Sequence, residues 1–187
     1  IGIQNNSEAA TLAYMGLYAQ QHRGQEGAGV VSSDGTVLHR HMGQGLVSDV
    51  FSNSAVFDSL IGDSAIGHVR YSTTGDSDPK NVGPLTFNMG DYDLSIAHNG
   101  NLVNLDEIRK ELQENGTLFQ TSTDTEIIIH LLAREKGNTL ADKLEKVLQK
   151  IEGAYSLILL SPSEIIAARD PHGIRPLILG ERITDKG

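Results

Sequence analysis

Leu94-Ser95-Ile96-Ala97-His98-Asn99-Gly100-Asn101-Leu102-Val103 is the stretch whose reading decides the fold. Leu94 to Ala97 alternates apolar with small or polar residues, as a half-buried strand does, and Leu102-Val103 resumes the apolar pattern. Between them, His98-Asn99-Gly100-Asn101 admits two readings. Asn-Gly is a hairpin signal, because both residues accept positive φ at little cost. It is also the composition of an oxyanion hole. An Asn side-chain N–H and a Gly amide with no Cβ to shield it are two neutral donors that one substrate oxygen can approach.

On either side the chain reads as alternating strands and helices. Ile1-Gly2-Ile3 opens as a strand already under way, and Ser7 can cap a helix from about Glu8 to Gln21. His22-Arg23-Gly24-Gln25-Glu26-Gly27-Ala28-Gly29 is a charged, Gly-rich break. Val30-Val31 and Thr36-Val37-Leu38-His39 flank Asp34-Gly35, a hairpin signature. Ala65 to Val69 reads as a buried strand running into Arg70-Tyr71-Ser72-Thr73-Thr74-Gly75. After Val103, Asn104 with Glu107 forms a capping-box pattern for a helix to about Glu114, stopped by Gly116. Thr123-Asp124-Thr125-Glu126 is a second such box, opening a helix through Ala133, and Thr139 with Asp142 starts a third to about Ile151. Tyr155–Leu160 and Glu164–Ala168 read as strands across Ser161-Pro162-Ser163, and Pro176–Leu179 as a further strand. The order predicts an α+β fold of antiparallel sheets with helices on their outer faces.

The 187 residues suit one domain with a sizeable core. A net charge of -9 argues against a nucleic-acid surface. No apolar run approaches a membrane span, and no signal peptide opens the chain. The absence of cysteine excludes disulfides and Cys-based metal sites, and fits a cytoplasmic location. Both ends read as cut: the first strand has no lead-in, and the turn after Leu179 lacks a returning strand.

Several residue types could carry chemistry. Arg70 can grip a carboxylate with two parallel hydrogen bonds, or serve in a structural ion pair. Asp124, first in a capped helix, can accept from a substrate ammonium, or simply favour the helix N-terminus. Together with Asn99 and Gly100 they would hold an amino acid with a carboxamide or ester side chain. No nucleophile accompanies them: Ser72, Thr73, Ser122 and Thr123 have no adjacent base. His39 and His41 on one strand face, with His68 and His98 each ending a strand, are a weaker metal-site reading, and Gly43-x-Gly45-x-x-Ser48 lacks the context of a dinucleotide loop and reads as a turn.

These motifs resemble a known family. His22 to Gly29, Gly45-Leu46-Val47-Ser48-Asp49-Val50-Phe51, Gly67 to Gly75, Ala97 to Leu102, Thr123 to Glu126, and Arg169-Asp170-Pro171-His172-Gly173-Ile174-Arg175-Pro176-Leu177 are similar, in order, to the glutaminase domain of amidophosphoribosyltransferases. Gln25-Glu26 after His22-Arg23-Gly24 separates the chain from the sister glutaminase of glucosamine-6-phosphate synthase, which carries Tyr-Asp there. The resemblance implies an N-terminal-nucleophile hydrolase fold, a four-layer αββα sandwich. It implies that Arg70 binds the glutamine carboxylate and Asp124 its ammonium, with Asn99 and Gly100 as the oxyanion hole. Arg23 and Gly24 would line the site and Thr73 would lie near the substrate. The family's nucleophile is an N-terminal cysteine, which the alignment of Ile1-Gly2-Ile3 puts three residues before Ile1. A phosphoribosyltransferase domain, using Mg2+ and phosphoribosyl pyrophosphate, would lie beyond this stretch, with the full enzyme an oligomer of identical chains. This domain itself would need no cofactor. The rival reading is a catalytically dead glutamine-binding or regulatory module.

Overall fold

The computed structural model describes residues 1–71 and 78–182. The first half of the chain contributes β1 (Gly2–Ile3), α1 (Ala9–Ala19), β2 (Gly27–Ser33), β3 (Leu38–Gln44), α2 (Val47–Val50) and β4 (Ser64–Arg70). The second half contributes β5 (Leu85–Asn88), β6 (Asp93–Leu102), α3 (Leu105–Glu114), α4 (Asp124–Arg134), α5 (Leu140–Leu148), β7 (Gly153–Leu160) and β8 (Ile165–Arg169). Each half builds one antiparallel sheet, in the order β1-β4-β2-β3 and β5-β6-β7-β8.

Alternation along the central strands produces the layers. Ala28 and Val30 of β2, with Ala65 and Val69 of β4, pack under α1 and α2. Val31 and Ile66, from the same two strands, meet Ala97 and Leu160 of the second sheet. Leu94, Ile96, Leu157 and Leu159 turn the other way, against Ile127, Ile128 and Leu132 of α4 and Leu144 of α5. Strands buried on both faces need apolar residues at both parities, and this stacks helix, sheet, sheet, helix. Ser33 Oγ donates to the Pro162 carbonyl at 2.7 Å, tying the first sheet to the β7–β8 turn of the second.

The hairpin at Asp34-Gly35, the strands across Ser161-Pro162-Ser163 and the Thr139/Asp142 capping box are found as the sequence predicts. Four local expectations are corrected. Asn99-Gly100 is no turn: β6 runs through it, with Asn99 opposite Ser156 and Gly100 opposite Tyr155. Asn6 rather than Ser7 supports the start of the first helix, its Oδ1 accepting from Glu8 N at 2.8 Å. Asn104 caps nothing with its side chain; Nδ2 donates to Lys150 O and Oδ1 accepts from Glu152 N, joining the end of β6 to the approach to β7. Pro176–Leu179 forms no strand. The buried Asp170 carboxylate accepts from the N–H groups of His172, Ile174 and Arg175, turning the chain away from the sheet after β8.

Glu126 also departs from its predicted box. Its buried carboxylate passes over the cap and accepts from Gln120 N (2.8 Å), Thr121 N (2.7 Å) and Thr121 Oγ1 (2.7 Å). The loop before α4 is therefore hung from the helix it leads into. Glu126→Ala would leave the two N–H groups without an acceptor, and denaturant unfolding should report a loss of about 2–4 kcal/mol. Burial works to raise the Glu126 pKa, but these bonds and nearby His130 hold it below its ordinary 4.5. A depressed carboxyl contributes stability above its unfolded pKa and loses it as pH falls through the folded one. Stability measured against pH should therefore fall below about pH 4.5 in the native protein and fall less steeply in Glu126→Gln.

Candidate active site

One central strand outruns its neighbour. β5 pairs with β6 only from Asp93 to Ile96, so the edge of β6 beyond Ile96 has no strand against it among the described residues. β1 covers β4 at Ala65 and Ile66, and Ile1 extends the ladder to Gly67, with Ile1 N donating to Gly67 O and Gly67 N to Ile1 O. Beyond Ile96, backbone donors on this edge of β6 face a gap instead of a partner strand among the described residues. In that gap lies a cleft of about 250 Å³, suited to a small metabolite. Its walls include His68 and Arg70 from β4, His98, Gly100 and Asn101 from β6, Asn81, and Ser122 to Thr125 at the start of α4.

Arg70 ends β4 with its side chain mostly buried. Its Nε lies 3.5 Å from Glu26 Oε2, and Nη1 donates to Asp78 O at 3.4 Å. Gly24 rests flat on the Arg70 backbone: a Cβ there would fall 2.5 Å from Arg70 O, so only glycine allows the approach. Gly24 therefore supports Arg70 from behind and is not among the cleft-lining residues, and Arg23 is exposed.

Asp124 stands at the head of α4. His98 Nδ1 lies 3.2 Å from Asp124 Oδ1, and because a carboxylate can only accept, that nitrogen carries the proton. Burial works to raise the Asp124 pKa; the His98 contact and the N–H groups of Thr125 and Leu102 outweigh it, so the carboxyl sits below its ordinary 3.8 and is ionised at neutral pH. His68 is pushed down to about 3, by burial first and then by positive charge nearby, including Arg70. It is therefore neutral at pH 7.

Gly100 lines the cleft, and its missing Cβ makes room for the His98 ring: the atom would sit 2.8 Å from His98 Nε2. Asn99 is exposed on β6 and is not one of the lining residues; Asn101, two positions on, is. Thr73 lies outside the described residues. Arg70, Gly100 and Asp124 are thus brought together, while Asn99, Arg23 and Gly24 are not on the cleft wall. His39 Nε2 contacts Asp34 Oδ2 and His41 Nε2 contacts Val50 O, each at 2.9 Å, and the two are engaged locally.

Sequence reasoning weighed His68 and His98 only as strand-end metal ligands and missed Asn81, which sits in a loop where an Asn carries no signal.

The comparisons agree with this geometry. Residues 68–186 match the family model for the glutamine amidotransferase domain. Amidophosphoribosyltransferase 2 of Arabidopsis thaliana, a chloroplastic protein, is 49% identical over 97% of this chain, which spans 32% of that relative. An amidophosphoribosyltransferase of Lacticaseibacillus casei is 42% identical over 96% of this chain and 92% of its own length. A solved structure described as the allosteric regulatory enzyme of purine biosynthesis superposes with a TM-score of 0.89 at 45% identity, over 94% of this chain and 38% of its own. The two sheets between helical layers are thus the N-terminal-nucleophile hydrolase fold, and the chain spans about a third of the length of the first of these relatives. With a family model over more than half the chain and a relative matched along nearly its whole length, this chain belongs to the glutamine amidotransferase domains, in the amidophosphoribosyltransferase family.

Proposed function

We propose that this domain hydrolyses glutamine to glutamate and ammonia, and that in the complete protein the ammonia passes to phosphoribosyl pyrophosphate to form phosphoribosylamine. The observation that carries the reading is one cleft holding a cation and an anion, Arg70 and Asp124, beside the backbone of Gly100. A free amino acid offers the complementary pair of charges, and a guanidinium can take its carboxylate through two bonds. The neutral end of such a ligand then lies along the unpartnered edge of β6, where Gly100 N–H and the Asn99 side chain are the proposed donors to the developing oxyanion. Asn99 shares a strand face with Asn101, which lines the cleft.

The nucleophile is proposed to be a cysteine three residues before Ile1, with its own α-amine as base. The strand register supports this. Gly2 pairs with Ile66 and Ile3 with Ala65, so continuation in register would set a residue three before Ile1 opposite Arg70. Cross-strand partners share a sheet face, and the side chain would emerge on the Arg70 side, at the cleft. Its thiolate would attack the side-chain amide carbon, ammonia would leave with a proton from the α-ammonium, and water would release glutamate from the thioester. An α-amine is partly neutral near pH 7.7–8.0, as a base in this role requires.

Protein expressed from the complete coding sequence should release glutamate and ammonia from glutamine; absence of any turnover would refute the assignment. In that protein Arg70→Ala should raise the glutamine KM at least about tenfold with a smaller change in kcat, since the bond is made in both ground and transition states. Asp124→Asn should do the same. Because the Asp124 carboxyl is held below 3.8, its contribution to binding is present above that pH and lost below it, so the wild-type KM should show no Asp124 inflection between about pH 5 and 8.

A further inference from the structure

Asn81 closes the short 3-10 turn Pro79–Asn81 and lines the cleft while only 6% exposed. Its Nδ2 donates to Ser122 Oγ at 3.2 Å, which bridges its loop to the segment before α4. Its Oδ1 is buried and accepts no hydrogen bond among the described residues. A buried amide oxygen without a donor is costly, and native proteins rarely leave one so. In a cleft wall, such an atom is satisfied when a ligand brings the missing N–H.

We infer that Asn81 Oδ1 accepts from the side-chain carboxamide N–H of the substrate, and that this contact lets the site prefer glutamine over its product glutamate. The inference rests on the glutaminase reading. The charges of the cleft assign the donor. A substrate ammonium is drawn to the Asp124 carboxylate, which is ionised and close to the same segment. A neutral acceptor is left for a neutral donor, and glutamine has one such group, its carboxamide. Glutamate presents only oxygens there, and its carboxylate would face the Asn81 carbonyl without a proton to share. Sites built around a hydrogen bond to a ligand group reject analogues lacking it far more strongly than apolar pockets do. The product would be expelled by the same atom that receives the substrate, which matters in a site that generates glutamate at every turnover.

The measurement is the ratio of the glutamate inhibition constant to the glutamine KM, in protein from the complete coding sequence. Wild-type turnover of glutamine is established first; if there is none, the glutaminase reading fails and not this one. Asn81→Ala should lower the ratio about tenfold, mostly through a higher glutamine KM, the loss of one hydrogen bond to a ligand. Asn81→Asp, equal in shape, keeps the acceptor and adds charge against glutamate, so its ratio should stay or rise; a fall would overturn the assignment. Ser122→Ala removes the bridge but leaves Oδ1, and should change the ratio less than about twofold. If Ser122→Ala reproduces the Asn81→Ala ratio, or Asn81→Ala weakens both ligands equally, Asn81 is a tether or an ammonium contact and the inference is wrong. Should Asn81→Ala fail to fold, the Asn81→Asp and Ser122→Ala ratios decide alone.

Discussion

The site lies where β6, a long central strand, continues past its short neighbour β5. A β-strand interior satisfies its backbone with hydrogen bonds on both edges, and this is why a finished sheet has no use for a ligand. Where β6 runs beyond Ile96 without β5, that accounting is open on one edge among the described residues. The end of β4, from the other sheet of the sandwich, lines the same cleft. The result is a polar cleft set on rigid elements, with Arg70 from one sheet and Gly100 from the other.

The helix layer completes the cleft, and it does so with acids used in two different ways. Asp124 and Glu126 both lie in the first turn of α4, where the helix dipole favours negative charge. Asp124 turns to the sheet and meets His98; Glu126 turns back and holds residues 120 and 121. One carboxylate ties the helix to β6 and the other fixes the loop that carries Ser122 and Thr123 to the cleft. A third contact, Arg109 Nη2 to Thr123 O at 3.3 Å, joins the loop to α3, and the same guanidinium stacks over the Phe119 ring. The loop is thereby held from two helices, which suits a wall that must present polar groups at fixed positions.

Glycine serves the site by closeness at two points and not by turning. Gly24 and Gly100 have no positive φ, yet neither tolerates a side chain: one rests on the Arg70 backbone and the other makes space for His98 and the facing strand β7. The Asn-Gly pair in particular looks like a hairpin when read locally. Its backbone is extended because residues 153–160 supply a continuous partner, and eight paired residues outweigh the local preference for a turn.

What the sequence determined by itself was the class of fold, most element positions and the charged pair. Alternating strands carry period two, amphipathic helices carry their own caps and stops, and these are properties of neighbours along the chain. Arg70 and Asp124 each have a common structural reading by themselves, and it was the ordered motifs, tying them to one family, that made the pair legible. Tertiary structure alone decided which residues share a wall. Asn81 and Ser122 meet across 41 positions, and His98 and Asp124 across 26. It also left Asn99 exposed and made Gly24 a support behind Arg70. Such outcomes depend on the pairing register of distant strands, where a slip of one residue would exchange every inward side chain for its neighbour.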